Sequence, residues 1–290
     1  MSEKSMSKDT RKNVILLHIA VMCFSCSGVI GQYVQVPAVQ VAMGRVICSS
    51  LLLLAISLVC KDKLTLDSKK DYGLMILTGV VMAIHWSSFF QSIQTSSVAI
   101  GTITFSTFPL FLTFLEPLLF HEKICGKNIL NALILLMGVL ITIPEFSVEN
   151  KVTIGILWGM LASFTYAVMT LSNRYFSSRY KGRTICLYEQ GTAAIALLPA
   201  LVLVKAEWRP VDFAGVATIG FLCTAIAYSL YVTAQKGVKA QTAGIISGME
   251  TVYGIVFALI FLRETPTVRE LVGGAVILGI AFYSSLHSED

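Results

Sequence analysis

Long apolar runs alternate with short polar segments along the whole chain. The hydrocarbon core of a bilayer is about 30 Å thick, so a helix rising about 1.5 Å per residue needs about 20 apolar residues to cross it. Ten runs approach this length, at Val14–Tyr33, Ala38–Cys60, Asp71–Gln94, Val98–Phe120, Lys127–Ile143, Val152–Phe176, Thr184–Val204, Val211–Gln235, Ala240–Leu262 and Val268–Leu286. Little of the chain remains for a soluble domain. The pattern predicts an all-α membrane protein with ten transmembrane helices.

The composition supports a polytopic membrane protein. Hydrophobic residues make up 55% of the chain and charged residues only 13%, whereas about a quarter of the residues in soluble domains are charged. The net charge of +5 comes from short basic clusters between the apolar runs. Such clusters are typical of contact with a lipid bilayer and do not indicate binding to nucleic acid. The seven cysteines lack the regular spacing of a disulfide framework.

The basic residues predict the orientation, because Lys and Arg are retained on the cytoplasmic side of a membrane. With the N-terminus inside, 16 of the 22 basic residues fall in cytoplasmic segments and five fall in outer loops. The remaining one, Arg45, lies within the second span. This bias predicts a multi-pass protein of the plasma membrane with both termini in the cytoplasm.

The two halves of the chain show a similar pattern of polarity and length. In each half an apolar span ends in a charged group, at Glu122 and at Glu264, and a short turn leads to another apolar span that contains glycine. The pattern predicts two units of five spans, residues 1–145 and 146–290. Because five is odd, the two units must insert with opposite orientation. Such inverted repeats are typical of secondary transporters that hold their substrate near the middle of the membrane.

Five ionisable side chains fall within the predicted spans, where an uncompensated charge costs about 3 kcal/mol or more. They are Arg45, His85, Glu116, Glu189 and Glu250. From the span limits, His85 and Glu250 lie nearest the middle of the membrane. Arg45 lies near the outer end of its span, and Glu116 and Glu189 lie closer to the cytoplasmic face, where a side chain can reach the interface or pair there. For Glu250 the alternative is a protonated or hydrogen-bonded group that ties two helices together.

Glu250 shares a predicted helix face with Tyr253 and Phe257, three and seven residues later. Other spans add aromatic and hydroxyl groups, and together they predict a pocket with apolar walls and few polar groups, which suits a small organic metabolite. The predicted substrate-binding residues are Glu250, Tyr253, His85, Trp86, Phe89, Ser27, Tyr166 and Tyr228. The alternative is ordinary packing, since aromatic residues in membrane helices also form cores and interfacial belts.

His85 and Glu250 are also the candidates for proton coupling. Histidine exchanges protons near neutral pH, and a carboxyl group in an apolar environment can do the same. A hydrogen-bonded structural role is the alternative for His85. Facilitated transport or exchange without protons is equally open.

Several short motifs follow one another in a defined order along nearly the whole chain. In the first half they are Pro37, Arg45, His85-Trp86-Ser87-Ser88-Phe89-Phe90, Ser97-Val98-Ala99, Pro109-Leu110 and Glu122. In the second half they are Gly159 to Tyr166, Glu250-Thr251-Val252-Tyr253-Gly254, Leu262-Arg263-Glu264 and Gly273-Gly274. In this order and spacing they resemble the drug/metabolite transporter superfamily in its EamA-type branch.

The resemblance implies ten transmembrane helices in two inverted halves and the transport of small metabolites such as amino acids, nucleobases or related compounds by alternating access. It also implies that spans one, three, four, six, eight and nine line a central cavity and that spans five and ten are peripheral. One position departs from the family pattern, because Thr251 stands where a proline usually follows the glutamate of span nine. A kink at this position is therefore doubtful.

A membrane-integral enzyme and a channel-like facilitator are the alternative functions. His121-Glu122 is followed by Lys123-Ile124-Cys125, so the chain lacks a His-Glu-x-x-His metal motif at this point. Cys23 and Cys26 have Cys-x-x-Cys spacing but lie on a membrane helix, outside a thioredoxin-like context. No ring of like groups indicates a pore. We expect a transporter that binds a small-molecule substrate and uses no cofactor and no metal. Small residues in the spans permit close contacts between helices, and these contacts are compatible with a homodimer.

Overall fold

The computed structural model describes residues 8–121, 126–145, 147, 149–235, 238 and 240–286, and within them the regular structure is helical throughout. Its ten helical spans are α1 (Lys8–Tyr33), α2 (Ala38–Val59), α3 (Lys69–Thr95), α4 (Val98–Phe105 and Phe108–Phe120), α5 (Gly126–Thr142), α6 (Lys151–Ser177), α7 (Gly182–Leu197 and Ala200–Leu203), α8 (Pro210–Gly220, Phe221–Ile226 and Ala227–Gln235), α9 (Ala240–Phe257 and Ala258–Leu262) and α10 (Val268–Leu286). Each predicted span coincides with one of them. Seven are long and apolar enough to cross a bilayer by length and composition.

Proline and hydroxyl side chains explain the interruption of α4. Pro109 lacks the N–H that would continue the hydrogen-bond ladder across Ser106 and Thr107. The Ser106 hydroxyl instead donates to the Thr102 carbonyl at 3.0 Å, and the Thr107 hydroxyl donates to the Thr104 carbonyl at 2.7 Å. Both carbonyls also accept backbone N–H bonds, from Ser106 and Thr107, so the hydroxyl groups add second hydrogen bonds beside the break.

By contrast, α9 is regular through Glu250 and Thr251, as the absence of a proline there led us to expect. Its wider π-helical turn begins only at Ala258. A second π-helical turn, Phe221–Ile226, lies inside α8. There, a side chain on Gly220 would come within 2.9 Å of the Arg45 backbone oxygen, so α8 and α2 approach closely at this level. Such turns in α-helices are often found at functional sites.

The helices of the two halves pack against each other in pairs. Helix α1 packs against α8 and α9, and α6 packs against α3 and α4. Helix α2 packs against α7, and α5 packs against α10. The counterpart of each helix is the helix five places away along the chain. Exchanging every helix for its counterpart turns the contacts of α1 into those of α6. The same exchange leaves the α2–α7 and α5–α10 contacts unchanged. This exchange is what two inverted five-helix repeats require.

Two aspartates at equivalent positions illustrate the repeat. Asp71, in the first turn of α3, accepts hydrogen bonds from Arg179 at 2.9 Å and Tyr180 at 2.7 Å, in the segment between α6 and α7. Asp212, in the first turn of α8, accepts one from the backbone N–H of Gln35 at 3.0 Å, in the segment between α1 and α2. The two sites lie at opposite ends of the bundle because the halves are inverted. The boundary between residues 145 and 146 stays a prediction, and Glu122 lies outside the described residues.

The Thr10 end of the bundle is the end at which α1 begins, and the Tyr33 end is the end at which α1 finishes. At the Tyr33 end, the Gln94 amide donates to the Val36 carbonyl at 3.0 Å, and the Val98 N–H donates to the Glu264 carboxylate at 3.1 Å. The Tyr33 hydroxyl donates to the Phe261 carbonyl at 2.6 Å. These bonds hold α1, α3, α4 and α9 together at this end.

At the Thr10 end, the segment between α2 and α3 packs against the segment between α6 and α7. Asp62 pairs with Lys181 at 2.9 Å and with Arg183 at 2.8 Å. The hydroxyl of Tyr188 donates to the Leu64 carbonyl at 2.9 Å. The Thr10 end is therefore tied by ion pairs from the segment between α2 and α3 to Lys181 and to the first turn of α7.

Candidate functional site

Aromatic rings from α3, α4 and α6 form a cluster in the middle of the bundle. The His85 ring lies 4.6 Å from the Trp86 ring and 5.5 Å from the Tyr166 ring, measured between centroids. Phe105 of α4 lies 4.9 Å from Tyr166 and 5.6 Å from Phe89. The structure thus brings together four of the residues predicted to bind substrate, and Phe105 joins them from a helix that contributed none to that prediction.

His85 is oriented by α6. Its Nδ1 lies 2.8 Å from the Ala162 carbonyl oxygen, which can only accept a hydrogen bond, so Nδ1 carries a proton and donates it. Nε2 has no hydrogen-bond partner among the described residues, and the side chain is 1% exposed. One nitrogen therefore has a structural role, while the other is free to meet a proton or a ligand.

Arg45 of α2 lies against the same cluster. Its guanidinium carbon is 3.3 Å from the centroid of the Trp86 ring, and its side chain is 2% exposed. Nε and Nη1 of Arg45 and Nε1 of Trp86 lack hydrogen-bond partners in the described part of the chain. The sequence showed a basic residue inside span two but placed it near the outer end and not among the site residues. The intramembrane charge was the signal that could have identified it.

Glu250 of α9 is partly exposed and lies within electrostatic reach of Arg45. Its backbone carbonyl accepts a hydrogen bond from the Ser25 hydroxyl of α1 at 2.8 Å. Tyr253 is hydrogen-bonded through its hydroxyl to Nδ1 of His18 at 2.7 Å and stacks on Phe257 at 6.4 Å. The backbone of α9 is thus fastened to α1, while the Glu250 carboxylate forms no ion pair with a described residue.

Helices α7 and α8 bring further polar groups to this region. Tyr228 of α8 contacts Cys186 and lies within electrostatic reach of Glu189, both on α7. Glu189 is 1% exposed, and its Oε1 has no hydrogen-bond partner among the residues described. The span limits placed Glu189 closer to the cytoplasmic face, where a side chain can reach the interface, but its side chain is buried inside the bundle and lies within electrostatic reach of Tyr166. The sequence could not reveal this placement, because span limits give depth along a helix and not the direction in which a side chain points.

Some polar groups of the spans do not contact the central cluster or have a structural role. Ser27 is buried on α1, and no described hydrogen bond or ring contact joins it to the other candidates. Ser92, one turn beyond Phe89 on α3, donates its hydroxyl to the Gly155 carbonyl at 2.6 Å and so links α3 to α6 without having been predicted as a site residue. Glu116 pairs with Arg174 where both side chains are partly exposed, which agrees with the expected pairing at the interface.

The whole arrangement combines aromatic walls with groups of both charges. Arg45 is a buried cation, Glu189 and Glu250 supply carboxyl groups, and Tyr166 lies within electrostatic reach of both carboxyl groups. Sites for small organic ligands typically combine such apolar walls with a few fixed polar groups. The arrangement is suited to binding a small organic molecule that carries polar or charged groups.

Comparisons with known proteins agree with this architecture. The model of the EamA-like transporter family matches residues 11–143 and 153–286. An uncharacterized transporter of Bacillus subtilis, YxxF, is 22% identical over 276 residues, which are 93% of this chain and 88% of that protein. An uncharacterized transporter of Helicobacter pylori strain J99 is 25% identical over 92% of this chain and 94% of its own length.

A solved crystal structure has the same fold. It superimposes with a TM-score of 0.64 over 96% of this chain and 97% of the other, at 14% sequence identity. The family match covers both halves of the helical bundle, and both relatives are named as transporters. The chain belongs to the EamA-like transporter family and is a multi-pass membrane transporter.

Proposed function

We propose that this protein is a secondary transporter that moves a small organic metabolite across the plasma membrane by alternating access. The substrate site is the central region formed by His85, Trp86, Tyr166, Tyr228 and Glu250. The observation that supports this most directly is the convergence of unpaired polar atoms and aromatic rings from several helices of both halves. In transporters built from inverted repeats, the substrate lies between the halves near mid-membrane.

An asymmetry of packing supports alternating access. Helix α1 packs against α3 and α4, and these contacts are accompanied by the hydrogen bonds at the Tyr33 end. Their counterparts under the repeat are contacts of α6 with α8 and α9. Among the described residues, those pairs do not pack closely. The same interface is therefore closed in one copy and loose in the other, as in one of the two end states of an alternating carrier.

Flux measurements in reconstituted liposomes test the function. A carrier gives saturable uptake that is accelerated by unlabelled substrate on the opposite side. Chemical conversion of the substrate would indicate an enzyme, and a current that rises with concentration without saturation would indicate a channel. Amino acids, nucleobases and related compounds are the first classes to screen, by the thermal stabilisation of the detergent-solubilised protein.

Glu250→Gln tests the site, with Glu116→Gln as its matched control. Both changes remove one intramembrane carboxylate at constant size. We expect Glu250→Gln to reduce flux at least tenfold in protein that still folds, and Glu116→Gln to leave flux within twofold, because the Glu116 pair with Arg174 is partly exposed. Equal, unchanged flux in both variants would contradict the assignment.

Proton coupling through Glu250 or His85 is tested with an imposed pH gradient. Coupled transport accumulates substrate against its gradient, and a carrier that ignores the gradient is a facilitator or exchanger. The proposed orientation has both termini in the cytoplasm. Reporter enzymes fused to either terminus, active on only one side of the membrane, should both report the cytoplasmic side.

A further inference from the structure

We propose that Arg45 and Trp86 form a carboxylate-binding subsite, so that the transported substrate is a carboxylate whose remainder is neutral or cationic. This inference rests on the proposed function, because it names the chemistry of the substrate in the same central site. The inference depends on the position of Arg45, which the sequence analysis did not include among the substrate-binding residues.

Arg45 is a buried cation with few compensating contacts. Its side chain is 2% exposed, and it forms no ion pair with any described residue. Its face lies on the Trp86 ring at 3.3 Å and, more distantly, on the Phe90 ring at 5.7 Å. A cation–π contact contributes about 2 kcal/mol when desolvated, whereas burying a charge in a membrane helix costs about 3 kcal/mol or more. The stacking contact therefore leaves part of this cost for another group to offset.

The unpaired donors of Arg45 suit a planar anion. Because the Trp86 ring covers one face of the guanidinium, the unpartnered Nε and Nη1 donate in the guanidinium plane. A carboxylate binds Arg in this plane through two parallel N–H···O bonds, which either Nε or Nη1 forms together with Nη2. Nε1 of Trp86, which can only donate, is also unpartnered. The two side chains thus offer only donors, which is what an ionised carboxylate accepts.

The neighbouring carboxyl groups argue against a more highly charged anion. Glu250 lies within electrostatic reach of Arg45, and Glu189 lies near Tyr166 in the same region. A phosphate ester would bring a second negative charge to the subsite, whereas Arg45 supplies only one positive charge to neutralise it. A single carboxylate is neutralised by Arg45, and a cationic or neutral group on the same molecule fits the side of the site near Glu250.

The test uses carboxylic acids and their primary amides as matched probes. L-leucine and 3-phenylpropionate are compared with L-leucinamide and 3-phenylpropanamide, and formate and acetate are compared with chloride at equal ionic strength. The readouts are thermal stabilisation of the full-length protein and the fluorescence of Trp86 in a Trp158→Phe/Trp208→Phe background. We expect the acids to stabilise the wild type by several degrees, the amides and chloride to have little effect, and acid binding to change the emission of Trp86.

Variants assign the effect to this subsite. Arg45→Gln should lower the affinity for the acids at least tenfold and abolish the preference for acid over amide. Arg45→Lys should retain part of the preference for acid over amide, since Lys keeps the charge but lacks the planar donors. This variant replaces Arg45→Gln in the test if Arg45→Gln does not fold. Trp86→Phe should keep the aromatic face and weaken acid binding severalfold. Arg209→Gln, which changes an arginine paired with Asp212 at the Tyr33 end, is the matched control and should bind like the wild type.

The outcomes separate this inference from the proposed function. A wild type that no carboxylate stabilises over its amide or over chloride overturns the subsite, as does a preference that survives in Arg45→Gln and Arg45→Lys alike. If neutral compounds show saturable flux without acid preference, the transporter proposal stands and the subsite fails. If acids bind through Arg45 but are never transported, the subsite stands and the transport proposal fails.

Discussion

The guanidinium carbon of Arg45 lies 3.3 Å from the centroid of the Trp86 ring, and this contact connects α2 to the aromatic cluster of α3. Helix α2 also packs against α7 and α8, and α3 packs against α6. The contact therefore lies where helices of both halves meet. A ligand that engages Arg45 or Trp86 of the first half together with Glu250 of the second half will contact both sets of helices, and this is how binding can be linked to their relative movement.

The first prediction concerns the stability of the ligand-free protein. Because Arg45 is buried without an ion pair, its replacement by an apolar side chain of similar length should not destabilise the fold. Removal of buried charges in favour of apolar groups is often neutral or stabilising, by about 1–4 kcal/mol. We expect Arg45→Met to have an unchanged or higher melting temperature in the absence of carboxylates. A clear loss of stability would indicate that Arg45 mainly supports the fold.

The second prediction concerns closure at the Tyr33 end. A methyl group on Gly31 of α1 would lie 2.6 Å from a Phe90 ring carbon, and Phe90 is fully buried on α3. Such overpacking costs about 1–3 kcal/mol, so Gly31→Ala should favour states in which α1 and α3 separate. In a cysteine-free background carrying Ser27→Cys, we expect faster labelling by a membrane-impermeant maleimide.

Two further variants control this experiment. Gly73→Ala adds the same methyl group where no heavy atom lies within 4 Å, and it should label like the parent protein. Gly31→Ala combined with Phe90→Leu relieves the contact and should restore slow labelling. Identical labelling rates in Gly31→Ala and Gly73→Ala would show that this contact does not control closure.

The third prediction concerns the link between α4 and α9. The Thr251 hydroxyl lies 2.6 Å from the Ser106 hydroxyl and donates to the Thr102 carbonyl at 3.2 Å. Hydrogen bonds between membrane helices contribute about 0.6 kcal/mol on average and up to about 1.7 kcal/mol. Thr251→Val should lower the free energy of unfolding in mixed micelles by about 1 kcal/mol. Thr251→Ser keeps the hydroxyl and should lose less, so an equal loss in both variants would contradict this role.

The fourth prediction concerns pH and the ion pairs at the Thr10 end. Hydrogen bonds from Lys181 and Arg183 hold the pKa of Asp62 below its ordinary value. A carboxylate with a lowered folded pKa adds stability above its unfolded pKa of about 3.9, and this contribution is lost as the pH falls through the folded value. Asp62→Asn should therefore melt below the wild type at neutral pH. The difference should narrow as the pH is lowered below about 4.

Asp67→Asn is the control for this experiment. Asp67 pairs with Lys63 where the two side chains are 55% and 72% exposed. Exposed pairs contribute about 0–1 kcal/mol, so this variant should differ little from the wild type at any pH. A gap between Asp62→Asn and the wild type that persists undiminished at low pH would mean that the pairs with Lys181 and Arg183 are not its source.

The grouping of the α3 aromatic residues could be predicted from the sequence, because it follows from the local order of residues on one helix. His85, Trp86 and Phe89 occur within five consecutive positions of an apolar span, so they must lie near one another whatever the neighbouring helices are. Glu250 was identifiable because a carboxyl group in the middle of an apolar run is costly wherever it points. The contact between Arg45 and Trp86 could not be found in this way, since it joins two helices whose relative rotation no local pattern encodes.

The sequence by itself determined the number and approximate limits of the spans, because these depend on apolar length, which is a local property. Tertiary structure alone decided which side chains share the centre and which helices of the two ends pack closely. Glu189 is directed inward because α7 packs against α2 and α3, and α1 packs closely on α3 because Gly31 leaves room for the Phe90 ring. Both depend on close packing between helices that are distant in the chain.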